Sequence, residues 1–168
     1  MNVFLIGFMG SGKTSLGKKL ANKLNRTFID LDDLIEGKEG KSISELFSEK
    51  GENYFRQIEK SVLLSQSKDK EVVVSLGGGA CCNEESWKFM ENNGLIIYLK
   101  EKPEILFGRL KQNKNQRPLI AHLPDEDLKE FIDKKLSERS IYYDKAHFVY
   151  EKDKSSFKFL VKQINDFL

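Results

Sequence analysis

Short apolar runs alternate along this chain with longer stretches in which apolar residues recur every three or four positions. The runs Val3–Ile6, Thr27–Ile29, Val72–Ser75, Leu95–Leu99 and His147–Tyr150 are brief and apolar, and read as strands. Helical spacing fills the intervals at about 14–25, 33–38, 43–49, 53–66, 84–92, 103–112, 125–144 and 155–167. Strands alternating with helices predict an α/β fold, a parallel sheet with helices on both faces.

Start signals mark several of these helices. "SISE", Ser42 to Glu45, has capping-box spacing. Asn83 precedes Glu84 and Glu85, an N-cap followed by acidic first-turn residues. Pro124, followed by acidic residues, opens the long helix toward Tyr143. The stretch from Asn113 to Leu123 is polar, has no period and carries the basic cluster Lys111 to Arg117, so it reads as a mobile loop.

No linker, repeat or low-complexity segment divides the 168 residues, and the expectation is one domain, 1–168. The net charge of +2 is interspersed, unlike the concentrated basic face of a nucleic-acid binder. No apolar stretch reaches the length of a membrane span. The N-terminal "MNVFLIGFMG" lacks a basic start and a cleavage site, so it reads as a core strand rather than a leader. Cys81 and Cys82 are adjacent and make neither a disulfide framework nor a zinc site; they read as small buried or half-buried residues of a reducing cytoplasm.

"GFMGSGKT", Gly7 to Thr14, matches the phosphate-binding pattern G-x-x-x-x-G-K-[ST] in full, after an apolar strand and before a helix. Backbone N–H groups of such a loop converge on phosphate oxygens, helped by the helix N-terminus. Lys13 then reaches the β- and γ-phosphates, and Thr14 offers a hydroxyl to Mg²⁺. Nucleoside triphosphate binding follows from the motif; the phosphoryl acceptor does not.

The guanine-reading N-K-x-D of a GTPase is missing, since "NKNQ" at 113–116 lacks the Asp and lies in the polar loop. A motor or AAA-type ATPase needs a longer chain. A small kinase remains, with a lid at about 112–124 that excludes water and brings Arg117 to the transferring phosphoryl group.

Two further stretches demand an explanation. "FIDLDDLIE" places Asp30, Asp32 and Asp33 within four positions among apolar residues, where like charges repel. "SLGGGA" sets three glycines, Gly77 to Gly79, after a strand, a costly run in chain entropy that suits close approach of backbone to a ligand. Ser75 stands where many phosphate-loop proteins carry an acidic metal residue, so that carboxylate must come from elsewhere or be replaced by water.

Taken in order, "IGFMGSGKTSLGKKLA", "FIDLDDLIE", "GENYFRQIE", "SLGGGA", "RPLI" and "ERSIYYDKA" resemble the shikimate kinases, small relatives of the nucleoside-monophosphate kinases, over most of the chain. The resemblance implies a three-layer α/β/α P-loop fold with a five-stranded parallel sheet in the order 2-3-1-4-5 and a mobile lid. It implies transfer of the ATP γ-phosphoryl group to the 3-hydroxyl of shikimate, a step toward chorismate and the aromatic amino acids, by a cytoplasmic monomer using Mg²⁺.

Residue by residue, the resemblance assigns ATP to Gly10, Ser11, Gly12, Lys13, Thr14 and Ser15, with Arg109 against adenine and Arg117 from the lid. It assigns Mg²⁺ to Thr14 and, through water, to Asp30. Shikimate falls to Asp32, Arg56, Gly77, Gly78, Gly79 and Arg139, with the two arginines on its carboxylate and Gly78 as backbone donor. Lys13, Asp32 and Arg117 are the implied catalytic residues, and Asp33 needs no role beyond starting a helix. A kinase for another small acceptor and an ATP-binding module without turnover are the competing readings.

Overall fold

The computed structural model describes residues 1–66 and 71–168. Five strands, β1 (Asn2–Ile6), β2 (Phe28–Asp30), β3 (Val73–Ser75), β4 (Gly94–Leu99) and β5 (Phe148–Tyr150), pair in parallel in the order β2-β3-β1-β4-β5. This is the expected order, with β1 central and every residue of it buried. β2 and β5 each lie within a residue of the predicted bounds; ladder pairing starts at Phe28 and Phe148, one residue later than the apolar runs suggest.

Alternation along β1 splits the core into two layers. Phe4 and Ile6 face a cluster with Leu31, Ile35, Trp87 and Met90, while Val3 and Leu5 face Leu16, Leu20, Leu160 and Ile164. The helices supplying these layers are α1 (Lys13–Leu24), α2 (Leu31–Glu39), α3 (Ile43–Leu64), α4 (Glu84–Asn93), α5 (Pro103–Gln112), α6 (Asp125–Tyr143) and α7 (Phe157–Phe167). Leu31 is fully buried, and trimming it to alanine would cost about 2–5 kcal/mol.

The start signals take their expected forms. Ser42 and Glu45 make the reciprocal capping box, and Asn83 accepts from the Ser86 N–H. The two helices expected at 43–49 and 53–66 join across a kink at Gly51, whose φ of 81° interrupts helical geometry within Ile43–Leu64. α2 starts two residues earlier than expected, because the Asp30 side chain accepts from the Asp32 N–H and caps it.

The polar stretch after α5 holds one short 3₁₀ turn, Lys114–Gln116. Its root is not loose. Ile120 is fully buried in a third cluster with Phe8, Leu106, Leu110, Leu128 and Ile132, and Lys114 binds the Leu123 carbonyl at 2.8 Å and Asp125 at 2.7 Å. These anchors hold Arg117 over the carboxyl ends of the strands, where ligands of open parallel sheets bind.

Candidate active site

The loop between β1 and α1 takes the conformation its glycines allow: Gly10 and Gly12 have φ of 81° and 96°, in the left-handed region. Lys13, the first residue of α1, is only 8% exposed and curls back so that Nζ donates to the Gly7 carbonyl at 2.8 Å and the Phe8 carbonyl at 2.9 Å. Burial pulls its pKa down to about 8, with Asp32 opposing and Arg117 adding to the shift. The Ser11 hydroxyl beside it is buried with no hydrogen-bond partner among the described residues.

Asp30 ends β2 and stands in register with Ser75, the last residue of β3. Its Oδ2 accepts from the Thr14 hydroxyl at 2.8 Å, and its Oδ1 from the Asp32 N–H at 3.2 Å. Thr14 and Asp30 thus place two hard oxygen donors on the cavity that also holds Gly12, Lys13 and Ser15. No group of three or more His, Cys, Asp or Glu among the described residues makes a protein cage for a metal. Two protein oxygens beside a phosphate cradle fit Mg²⁺, which keeps most of its shell as water and phosphate.

A second cavity of about 270 Å³ opens between α2, α3 and the segment 116–119. Asp32, Arg56, Glu59, Arg139 and the Gly77–Gly79 turn line it. Burial, then repulsion by Asp30, raises the pKa of Asp32, while Lys13, Arg117 and Arg56 pull it down. Arg56 is held between Glu59 at 2.6 Å and Glu52 at 3.2 Å. Arg139 is 8% exposed, lies over the Phe8 ring with Cζ 5.3 Å from its centre, and has no ion pair among the described residues.

Three buried polar atoms here lack partners among the described residues: Asp32 Oδ1, Glu59 Oε1 and Arg139 Nη1. The glycine turn is what allows them to gather. A Cβ on Gly77 would collide with Glu59 Oε1 and sit 3.3 Å from Asp32 Oδ1; one on Gly78 would sit 3.0 Å from Arg139 Nη1; one on Gly79 would press on the Arg56 guanidinium at 3.1 Å. Unsatisfied buried donors and acceptors lining one cavity suit a polar ligand that carries both an anionic group and hydroxyls. The two cavities share Met9, Asp32, Gly77, Gly78 and Arg117, so a phosphoryl group and an acceptor hydroxyl can meet there.

The structure brings together every residue the sequence singled out for the acceptor, including Arg56 and Arg139 from different helices. Arg109 is tied to the phosphate loop, its guanidinium donating to the Gly10 carbonyl at 2.8 Å and pairing with Glu101 at 3.1 Å. Asp33 is in the first turn of α2 and borders the acceptor cavity. Cys81 is buried and Cys82 half-buried. His147 serves the sheet, its Nδ1 accepting from the Ile96 N–H at 3.0 Å.

Two participants escaped sequence reasoning. Glu59 is 1% exposed and fixes Arg56; its signal is the Arg56–Glu59 spacing of three on one helix face. Tyr143 donates its hydroxyl to the Gly78 carbonyl and stacks on Tyr98, and no local pattern announces either contact.

Comparison with known proteins agrees with this geometry. The family model described as shikimate kinase matches residues 9–168. A shikimate kinase of Bacteroides fragilis is 42% identical over 154 residues, spanning 92% of this chain and 86% of that protein. One of Flavobacterium psychrophilum is 40% identical over 99% of this chain and 98% of its own length. Among solved structures, shikimate kinase from Acinetobacter baumannii in complex with shikimate superposes with a TM-score of 0.86 at 33% identity, covering 99% of this chain and 91% of that one. The Bacteroides thetaiotaomicron enzyme gives 0.83 at 38%, covering 99% and 94%. The chain belongs to the shikimate kinase family.

Proposed function

We propose that this chain transfers the γ-phosphoryl group of ATP to the 3-hydroxyl of shikimate, giving shikimate 3-phosphate and ADP. The observation that carries this reading is Arg139: a nearly buried guanidinium with no ion pair among the described residues, lining the same cavity as Asp32, whose Oδ1 is buried and unpartnered among those residues. Such an arginine awaits an anion, and a ring bearing a carboxylate at one end and hydroxyls at the other spans that cavity.

Each group then has a task. Arg56 and Arg139 grip the shikimate carboxylate, and backbone N–H groups of Gly77–Gly79 approach the ring where no side chain intervenes. Asp32 orients the reacting hydroxyl and can accept its proton, since its raised pKa makes it a better base than a solvated aspartate. Gly10 to Ser15 hold the phosphates of ATP, and Arg109, bonded to the Gly10 carbonyl, packs against adenine. Lys13 exchanges its two carbonyl partners for phosphate oxygens, and Arg117 supplies charge to the transferring group from the lid side. Thr14 and Asp30 would hold Mg²⁺, which would supply positive charge to offset that of the phosphates. Positioning and electrostatics suffice for a loose phosphoryl-transfer transition state.

The test is ADP release with Mg·ATP and a panel of acceptors: shikimate, quinate, gluconate, AMP and CMP. Rapid turnover with shikimate is expected; a strong rate with AMP or CMP and none with shikimate would overturn the reading. We further take the enzyme to act as a cytoplasmic monomer, as its resemblance to the family suggests, which light scattering on the purified chain would check.

A further inference from the structure

The two cysteines are unused by the reaction, yet they sit at its edge. Cys81 and Cys82 follow the glycine turn directly, and their sulfurs are 3.8 Å apart, in contact. The turn is closed by the Ala80 N–H on the Gly77 carbonyl at 3.1 Å and by the Cys82 N–H on the Gly79 carbonyl at 3.0 Å. On the other side, Asn83 is pinned to α4 by two 2.9 Å hydrogen bonds to Ser86. The pair is therefore a short link between the acceptor turn and a helix cap.

We propose that Cys81 and Cys82 form a redox-active vicinal dithiol, open to peroxides on the Cys82 side, whose oxidation to a disulfide disables acceptor binding.

The surroundings give the two sulfurs different parts. Contact with Cys81, then the charges of Arg139 and Arg56, hold the Cys82 thiol below its usual pKa despite burial. The same contact, with burial, pushes Cys81 well above. Cys82 is the half-buried member and Cys81 is 1% exposed. The Cys82 thiolate attacks one oxygen of hydrogen peroxide; the S–O bond forms, the O–O bond breaks, and hydroxide leaves to become water with the proton Cys82 had lost. Cys81 sulfur then attacks the sulfenic sulfur of Cys82; the S–S bond forms, the S–O bond breaks, and the Cys81 proton leaves with the hydroxyl as water. Two thiols lose two electrons and one peroxide becomes two waters.

Ring closure between neighbours must move the backbone. Adjacent Cα atoms across a trans peptide are about 3.8 Å apart, shorter than the roughly 4.4–6.8 Å that disulfides ordinarily span. The Cys81–Cys82 peptide therefore turns. The α4 side resists, because its cap is doubly bonded and Trp87 and Met90 are buried. The displacement falls on the Cys82 N–H to Gly79 bond, and through it on the turn that packs against Arg56 and Arg139.

The experiment treats the reduced enzyme with hydrogen peroxide and reads intact mass, peptide mass and kinetics together. The expected result is loss of two hydrogen masses on the peptide carrying both cysteines, independent of any activity. With it, kcat/KM for shikimate falls by about tenfold or more, recovers with dithiothreitol, and the Kd for ADP moves less than about twofold. Phenylarsine oxide, which bridges close thiols, should label the wild-type chain once and neither Cys81→Ser nor Cys82→Ser. Oxidation that adds oxygen without loss of hydrogen, unmodified cysteines, or a disulfide that leaves kcat/KM for shikimate intact would each overturn the proposal. Should a serine variant fold poorly, the wild-type masses and the arsenical stoichiometry still decide.

Discussion

Asp30 and Ser75 lie side by side in register at the carboxyl ends of β2 and β3. The acidic residue that many phosphate-loop proteins carry on the strand now occupied by Ser75 is thus supplied one strand over, within 2.8 Å of the Thr14 hydroxyl. Asp30→Asn should raise the Mg²⁺ concentration for half-maximal rate by about tenfold, since an amide replaces a carboxylate in the cation's surroundings. Asn also caps helices, so stability should change by less than about 1 kcal/mol. Because Asp30 helps to raise the pKa of Asp32, the acid limb of kcat/KM should move to lower pH in the same variant. A Mg²⁺ titration superimposable on wild type would remove Asp30 from the metal's surroundings.

Lys13 carries a second prediction through its pKa, which burial pulls down to about 8. A bound phosphate favours the ammonium, so the pKa rises when nucleotide binds. Below pH 8 the lysine already carries its proton and binding takes up none. As pH rises past 8 the free enzyme loses that proton, and ADP binding must take one up, weakening by up to about tenfold per pH unit. Calorimetry of ADP binding in buffers of different ionisation enthalpy measures the uptake directly. No uptake at pH 9 would mean that the amine stays charged in the free protein.

Much of this was legible from patterns that act locally. The phosphate loop, the helix caps at Ser42 and Asn83 and the alternation of strands with helices depend on residues a few positions apart, and all appear where expected. The meeting of Arg56 with Arg139 is a product of the tertiary fold, and only resemblance to a family pointed to it. Glu59 was hidden for another reason. A carboxylate on an amphipathic helix reads as surface, and its burial becomes tolerable only once Arg56 is beside it. Gly51 shows the converse. The break between two helical patterns is real in φ, yet the chain continues as helix beyond it.

The glycine turn can be tested by adding one methyl group. Gly77→Ala places a Cβ against Glu59 Oε1 and near Asp32 Oδ1, both buried and unpartnered among the described residues. Turnover should fall by about 10²-fold through displacement of the acceptor and Asp32, and stability by about 1–3 kcal/mol. Gly108→Ala is the contrasting change. That glycine is exposed within α5, and a Cβ there meets nothing within 4 Å. It should stabilise the fold by about 0.5–1 kcal/mol with kinetics unaltered. Thermal unfolding and steady-state rates on both variants separate crowding at the site from a general effect of glycine replacement.

Glu59 and Arg56 offer the sharpest separation of acceptor from nucleotide. Glu59 holds Arg56 from the buried side at 2.6 Å, while Glu52 competes from the exposed side at 3.2 Å. Removing Glu59 lets the guanidinium follow Glu52 outward, away from the acceptor carboxylate. Glu59→Ala should therefore raise KM for shikimate by about tenfold or more, leave the Kd for ADP within about twofold, and cost about 1–3 kcal/mol of stability. Glu59→Gln preserves the shape and one acceptor oxygen for Arg56 Nη1, so it should restore most of the shikimate affinity. Burial already raises the pKa of Glu59, so a neutral side chain there costs less than at an exposed site. If the glutamine variant proved as impaired as the alanine one, charge rather than orientation would be what Glu59 contributes; equal loss of ADP affinity would show that the pocket had collapsed as a whole.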